Sequence, residues 1–287
     1  MKKSVLVTGG SGFIGSHVVD ALIKKKYKVT ILDTIDPKRK DVKFIKGSIL
    51  NKSIIRIALK KINIIYHLAA VSDITKVKKI PLKTIETNIL GTTFLLEEVR
   101  KAKISKFIFA GSIYSYSAAG NLYNTSKTAS ELIIKNYQEI YRQKYTILRY
   151  ATAYGPRNRG VDAVSIFVKR ALKNLDLIVH GNGQQKRNYI FSEDLGYGSL
   201  TALEKRSENK IITLVSTKNI KIIDLAKLII KISKSKLKII FNKKKKRSDD
   251  FNSIFSYKNK KNKNLIIWKA KQSLEDGLKK YINLNIK

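Results

Sequence analysis

The chain has 287 residues, and its 59 Lys and Arg against 21 Asp and Glu give a formal net charge of +38 at pH 7. It is 43% hydrophobic and has no cysteine, which excludes a disordered chain, a disulfide framework and a thiolate nucleophile. No apolar run reaches the roughly 18 residues of a membrane-spanning helix, and none near the start fits a secretory signal, so we expect a cytoplasmic protein.

The basic charge has two explanations. A basic surface attracts nucleic acid and other anions through a salt-sensitive field. Biased residue usage gives the same total, and the scatter of lysines through every segment favours this second explanation. The three histidines are far apart in sequence, so no metal site is expected.

Short β-branched runs alternate with longer helical patterns in the first half of the chain, which is typical of a parallel sheet wrapped by helices. Strands are predicted over 5–8, 29–33, 43–45, 62–67, 107–110 and 145–149, and helices over 16–26, 87–101 and 126–142. This order predicts an α/β fold with a Rossmann-type, doubly wound parallel sheet.

The rhythm loosens after the turn at Gly155 and Pro156. Helices are predicted there over 163–173 and 224–233, and strands near 177–179 and 211–214. We therefore expect an NAD-binding domain over 1–160 and a smaller C-terminal substrate-binding lobe over 161–287, with a soft boundary and parts that interleave.

A glycine-rich turn lies between the first predicted strand and the first predicted helix. Gly10, Gly12 and Gly15 have dinucleotide-binding spacing, which brings the backbone close to a pyrophosphate at the helix N-terminus. Asp33 closes the second strand, where a carboxylate accepts hydrogen bonds from an adenosine ribose. This pattern favours NAD, while Lys38 and Arg39 leave NADP open because a basic group accommodates a 2′-phosphate.

Tyr123 and Lys127 stand four residues apart at the start of a predicted helix and therefore share one face. A phenol needs about 4 kcal/mol of phenolate stabilisation to act as a base at neutral pH, which the Lys127 ammonium and a nicotinamide cation would supply. Such a pair arises by chance in a lysine-rich chain. Ser112 changes the balance because it follows the fifth strand, at the edge of the sheet where ligands bind.

Further motifs occur in a fixed order along the chain, and with them the sequence resembles the extended short-chain dehydrogenase/reductase family. The resemblance covers nearly the whole chain and is greatest to the NAD-dependent nucleotide-sugar epimerases and dehydratases of the UDP-glucose 4-epimerase type. Its motifs are TGGSGFIG over 8–15, HLAA over 67–70, Asn88 with Gly91 and Thr92, Ser112, Tyr123 with Lys127, RYATAYGP over 149–156, HGNGQQKRNYI over 180–190 and SLEDGL over 273–278.

The resemblance implies a role for each matching residue. Tyr123 would be the catalytic base and acid, Lys127 would lower its pKa and hold the nicotinamide ribose, and Ser112 would assist at the sugar hydroxyl. The substrate would also meet Thr152, Arg187 and Arg247, of which the arginines would face the nucleotide diphosphate. Besides Tyr123 and Lys127, the implied NAD contacts are Gly9, Gly12, Phe13, Ile14, Gly15, Asp33, Ser48, Ile49, Leu68, Ala69, Ala70, Asn88 and Tyr150.

Four departures from the family pattern bear on the reaction. Ser48 replaces an adenine-side aspartate, Thr152 replaces a substrate-side asparagine, and the loop between Ser112 and Tyr123 is short. Ile113 and Tyr114 follow Ser112 where sugar dehydratases usually carry an acidic pair, which disfavours elimination.

We therefore expect an NAD-dependent epimerase that inverts C4 of a nucleotide-activated hexose by transient hydride transfer, and that forms a homodimer as its relatives do. A net NAD-dependent dehydrogenase or reductase of a sugar nucleotide would use the same residues and remains an alternative. A basic nucleic-acid-binding protein on the same scaffold is an alternative of another class. The intact set of Ser112, Tyr123 and Lys127 argues against it, because a binding module has no need of these groups.

Overall fold

Parallel strand pairing organises the molecule, whose computed structural model describes residues 3–116, 121–242 and 264–286. In chain order the strands are β1 (Ser4–Thr8), β2 (Lys28–Asp33), β3 (Lys43–Lys46), β4 (Ile64–His67), β5 (Lys106–Ser112), β6 (Tyr145–Tyr150), β7 (Thr152–Tyr154), β8 (Leu177–His180), β9 (Lys186–Arg187), β10 (Tyr189–Phe191), β11 (Lys210–Val215), β12 (Ile220–Lys221), β13 (Ile239–Asn242) and β14 (Leu265–Lys269).

Eight of these strands form one sheet in the order β14-β11-β6-β5-β4-β1-β2-β3, with every pair parallel. The chain leaves β1 towards β2 and β3 on one side, and returns to β4, β5 and β6 on the other. This order confirms the Rossmann-type α/β fold, and it creates a crevice at the carboxyl ends of β1 and β4, where the direction of winding reverses.

Helices cover both faces of the sheet. They are α1 (Phe13–Lys24), α2 (Lys52–Ala58), α3 (Ile74–Lys79), α4 (Pro81–Ile85), α5 (Gly91–Lys101), α6 (Leu122–Tyr141), α7 (Ala163–Leu172), α8 (Ser192–Ser199), α9 (Ile222–Ser233) and α10 (Leu274–Ile286). A π-helical turn (Glu86–Leu90) joins α4 to α5, so the helix predicted over 87–101 has two parts.

Alternation along β1 shows how the sheet separates two apolar cores. Val5 and Val7 face the layer that contains α1 and α8, whereas Leu6 faces the layer that contains α2, α5 and α6. All three side chains are fully buried. Both faces of the strand are therefore apolar, as expected for a parallel sheet covered on two sides.

The two halves of the chain interleave. The strand predicted over 211–214 is β11, and it lies beside β6 in the large sheet instead of in the lobe; β14 then adds the edge strand. A third apolar core, formed mainly by α7, β8, α9 and α10, makes up the smaller lobe. The division of the chain into two domains at residue 160 stays a prediction.

Within the described ranges, no helix is both long enough and apolar enough to span a membrane.

Candidate active site

The turn after β1 is shaped by Gly9, whose backbone has φ of +73°, a conformation that costs glycine little. A Cβ at Gly9 would lie 2.5 Å from the Ala69 nitrogen, so the turn directly touches the loop after β4. The Gly12 N–H donates to the Gly9 carbonyl at 3.1 Å and closes the turn. The glycine-rich turn and the segment Leu68 to Ala70 thus form one continuous backbone surface at the crevice.

The N-terminus of α1 follows this turn. Gly12 is the N-cap, and no side chain in the described part of the molecule accepts from the first-turn N–H groups there. A Cβ at Gly15 would overlap the Gly9 carbonyl oxygen, so only glycine lets α1 approach β1 this closely. With Phe13 and Ile14 between them, these glycines form the kind of cradle that a pyrophosphate fills.

Asp33 ends β2 beside the same turn. Its carboxylate accepts the Ser11 N–H at 3.0 Å through Oδ2 and the Ile35 N–H at 3.1 Å through Oδ1. A carboxylate has about four acceptor positions, so two bonds leave room for ribose hydroxyls. The side chain is thus held in place with acceptors to spare.

Arg39, one of the two basic residues that left NADP open, is arranged differently from a phosphate ligand. Arg39 forms a two-point ion pair with Asp41 at 2.7 and 2.8 Å and binds Asp20 at 2.8 Å. These partners raise the pKa of Arg39 further above its ordinary value, and Arg157 binds the other oxygen of Asp20. With Arg39 committed to two carboxylates, the geometry favours NAD.

His67 ends β4 and links the two sides of the crevice. Thr92 uses its hydroxyl proton on the Asn88 carbonyl at 2.6 Å, so His67 must donate from Nε2 to Thr92 Oγ1 at 2.9 Å. Nδ1 therefore accepts the Thr8 hydroxyl at 2.7 Å. Burial lowers the pKa of His67 to about 3, and the Lys127 charge adds to this effect, so the imidazole is neutral.

Asn88 lies in the π-helical turn, an irregularity that is frequent at functional sites. Its Oδ1 accepts the Val71 N–H at 2.7 Å, and its Nδ2 donates to the Val71 carbonyl at 3.0 Å and to Ser126 Oγ at 3.0 Å. The Ser126 hydroxyl in turn donates to the Tyr123 carbonyl. Asn88 therefore fixes the loop after β4 to the start of α6, and its support of the cofactor stays a prediction.

Ser112 ends β5, and Tyr123 and Lys127 lie in the first turns of α6. The helix begins earlier than predicted, at Leu122, because the Asn121 side chain accepts the Asn124 N–H and caps it. The Lys127 ammonium lies 4.7 Å from the centre of the Phe109 ring on β5, so these turns face the strand that ends in Ser112.

Burial shifts both members of the acid–base pair. It lowers the pKa of Lys127 to about 8, against a smaller raising effect of Glu131. It raises the pKa of Tyr123 well above 10, and Tyr114 adds to this effect. No hydrogen bond or ion pair holds the Lys127 ammonium within the residues that the structure describes. The phenol is therefore protonated in this state, and the free ammonium is available to a ligand.

The other predicted cofactor residues differ in what they expose. Ser48 forms a local turn in which its Oγ accepts the Leu50 N–H, and Ile49 is buried against Gly91. Tyr150 is 5% exposed, and its hydroxyl donates to Ser199 Oγ at 2.8 Å because the Ser199 proton is used on the Leu195 carbonyl. The Tyr150 side chain is thus committed to the core, which leaves its backbone for any cofactor contact.

The predicted substrate residues lie around β7 and β9. Thr152 begins β7 and is half-buried, with its N–H on the Asn188 carbonyl. Arg187 in β9 is 7% exposed, and its Nη1 donates to the Lys186 carbonyl at 3.1 Å. Arg247 lies outside the described residues. Two of the three positions are therefore located next to the carboxyl end of β6.

Sequence reasoning missed two groups that organise the site. The sequence marks His67 only as a motif residue and as one of three histidines too far apart for a metal site, although its ring joins β1 to the π-helical turn. Asn188 is fully buried and binds Ser216 and Asn219 with its side-chain amide, which fixes the loop after β11 against β9 and β10. The sequence signal for Asn188 was its position next to Arg187 in the HGNGQQKRNYI motif, and that for His67 was its place at the end of a predicted strand. Among the described residues, no group of three His, Asp or Glu side chains could hold a metal ion.

Comparison with known proteins agrees with this geometry. Residues 5–214 match the model of the NAD dependent epimerase/dehydratase family. The chain belongs to this family. A protein from Methanocaldococcus jannaschii described as a putative UDP-glucose 4-epimerase is 31% identical over 302 residues, which cover 97% of each chain. The similarity to this relative therefore extends over nearly the whole length of the chain.

Solved structures of family members show the same architecture. A UDP-glucose 4-epimerase from Thermotoga maritima with UDP-glucose has a TM-score of 0.88 at 28% identity and covers 98% of this chain and 97% of its own. A UDP-glucuronic acid 4-epimerase from Bacillus cereus with UDP-glucuronic acid and NAD has a TM-score of 0.84 at 25% identity and covers 98% and 99%. The protein is an NAD-dependent enzyme of this family.

Proposed function

We propose that the protein is a nucleotide-sugar 4-epimerase, which inverts C4 of an NDP-hexose by transient oxidation. The observation that carries the proposal is the pair of Tyr123 and Lys127 at the start of α6, facing β5, with an ammonium that has no partner in the described structure. The similarity of the chain to proteins named as 4-epimerases supports the same assignment.

The chain's own residues account for binding and proton transfer. The turn of Gly9 to Gly15 holds the pyrophosphate of NAD, Asp33 holds the adenosine ribose, and Lys127 donates to the nicotinamide ribose. When bound, NAD supplies the hydride acceptor and donor that the reaction needs. Ser112 holds the C4 hydroxyl of the sugar by a hydrogen bond.

Tyr123 is the proton acceptor and donor. Burial keeps the pKa of Tyr123 high even beside the Lys127 ammonium, so the phenolate forms when the positive charge of a bound nicotinamide would add to that of Lys127. Tyr123 takes the C4 hydroxyl proton, and the keto sugar then rotates within the site. Tyr123 returns the proton to the C4 oxygen of the inverted sugar. Arg187, with Thr152 beside it, anchors the nucleotide diphosphate so that only the sugar turns.

Position 113 supports epimerisation over elimination. Dehydration of the sugar needs acidic groups next to Ser112, and the structure has Ile113 there, 3% exposed in the apolar core. Tyr114 follows it. Neither side chain can act as a carboxylic acid, so a pathway that stops at oxidation and reduction of C4 fits the site better.

The test is a proton NMR assay of the purified protein with NAD and a panel of UDP-, GDP- and dTDP-sugars. We expect conversion of one sugar to its C4 epimer, loss of that conversion in Tyr123→Phe, and normal conversion in the matched variant Tyr141→Phe on the far end of α6. Stoichiometric NADH with an oxidised sugar would instead assign a net dehydrogenase. Intact NAD binding with no turnover, together with tight RNA binding at physiological salt, would assign the nucleic-acid alternative.

We also propose that the protein is a homodimer joined through α5 and α6. Apolar side chains on and next to these helices are exposed, including Leu90 at 43%, Leu132 at 55% and Ile140 at 67%. Exposed apolar patches mark association surfaces. Light scattering after gel filtration should give twice the mass of the chain, and the double variant Leu132→Lys with Ile140→Lys should give the mass of the monomer.

A cytoplasmic location stays a prediction.

A further inference from the structure

Glu131 stands four residues after Lys127 on α6 and is 2% exposed. Oppositely charged side chains at this spacing normally pair on a helix surface. In the described structure Lys127 and Glu131 form no ion pair. The carboxylate turns instead to Arg149 on β6.

Arg149 holds Glu131 by both of its oxygens. Its Nε donates to Oε1 at 3.1 Å and to Oε2 at 3.2 Å, and its Nη2 donates to Oε2 at 2.5 Å. The Arg149 side chain is 11% exposed, so the pair is shielded from water. A planar guanidinium matches both oxygens at once, which a lysine ammonium cannot do.

The surroundings are shaped for this pair. A Cβ at Gly111, the neighbour of Arg149 across the β5 and β6 ladder, would lie 2.7 Å from Glu131 Oε1, so the absence of a side chain makes room for the carboxylate. The Tyr116 ring lies 4.3 Å from the guanidinium carbon, and its hydroxyl bonds with Thr213 Oγ1 at 2.5 Å. Arg149 is thus fixed on one side by an aromatic ring and on the other by Glu131.

We propose that Arg149 is a positioning residue for Lys127, which keeps the Glu131 carboxylate away from the Lys127 ammonium and so leaves that ammonium available to the cofactor. The inference rests on the role proposed above for Lys127. Among the residues that the structure describes, three other groups face the ammonium: Tyr123 from its own helix, Phe109 from β5 and the neutral His67 from β4. None of them is an anion, so Glu131 is the group whose capture of Lys127 has to be prevented.

The experiment measures NAD binding by isothermal titration calorimetry in four full-length variants. Arg149→Gln releases Glu131, which then pairs with Lys127, and we expect NAD affinity to fall about tenfold or more, the size of a lost charged hydrogen bond. In Arg149→Gln with Glu131→Gln no carboxylate is left to capture the lysine, and affinity should return to within about threefold of the original protein. Lys127→Met should bind as weakly as Arg149→Gln, and adding Glu131→Gln to Lys127→Met should restore nothing.

A purely structural role for Arg149 predicts a different pattern. The double variant would then bind NAD no better than Arg149→Gln, and that result would overturn the proposal. If thermal melting shows that Arg149→Gln is unfolded, the double variant still tests the proposal. Its NAD affinity must then be close to that of the original protein and clearly higher than that of Lys127→Met.

This assay also separates the inference from the proposed reaction. NAD binding needs no sugar substrate, so the predicted recovery in the double variant can occur even if no sugar is epimerised, and only the epimerase proposal would then fail. Unchanged NAD affinity in Lys127→Met would remove the premise and overturn the positioning role itself.

Discussion

The buried, neutral His67 makes the stability of the fold depend on pH. Its pKa is lowered from 6.5 to about 3 in the folded protein, and the side chain is 1% exposed. Below pH 6.5 the unfolded chain therefore binds a proton at His67 that the folded chain does not bind. The contribution of His67 to the free energy of unfolding is fully present above pH 6.5 and is lost as the pH falls towards 3. Each pH unit in this window removes about 1.4 kcal/mol, so a change from pH 7.5 to pH 5 costs about 2 kcal/mol through His67 alone.

Urea unfolding followed by circular dichroism at both pH values measures this loss. The variant His67→Gln has no titrating group at this position, so its free energy of unfolding should fall by about 2 kcal/mol less than that of the original protein over the same change. Phe109→Leu alters a ring that contacts His67 without removing the imidazole, and it should keep the original pH dependence. An equal loss in His67→Gln and the original protein would refute the assignment of a neutral, buried imidazole.

Three further predictions concern the cofactor site. Gly15→Ala adds a Cβ that overlaps the Gly9 carbonyl oxygen. NAD binding measured by calorimetry should therefore be abolished, or the melting temperature should fall by several degrees. Turnover should decline above pH about 8 as Lys127 loses its proton, and Lys127→Arg should move this alkaline limb of the rate profile upward because arginine stays charged. Asn88→Leu breaks both bonds to the Val71 backbone, and we expect NAD affinity to fall about tenfold while the far-UV spectrum is unchanged.

Local sequence predicted the sheet well where strand and turn signals coincided. The run from Val5 to Gly15 contains an apolar strand, a tight turn and a helix start, and each has a short-range physical cause. The predicted start of α6 lies four residues too late, because the cap is the Asn121 side chain and capping by asparagine depends on the geometry of the preceding loop.

Contacts between distant segments could not be read from local patterns. The placement of β11 beside β6 and the pairing of Arg149 with Glu131 each join residues whose spacing carries no periodic signal. Helix spacing and sheet position singled out Ser112, Tyr123 and Lys127, and the motif resemblance assigned their roles. The neutral state of His67 follows only from its burial and its two hydroxyl partners. The protonation states of the side chains at the crevice therefore could not be derived without the three-dimensional structure.

The interleaved sheet has a consequence for synthesis on the ribosome. When residue 160 has been made, β6 is still an open edge with unpaired backbone groups, and its neighbour β11 follows only at residues 210–215. The outer strand β14 comes later, at residues 265–269. The nascent cofactor-binding half thus exposes a strand edge of the kind that aggregates, and the sheet can be completed only when nearly the entire chain has emerged.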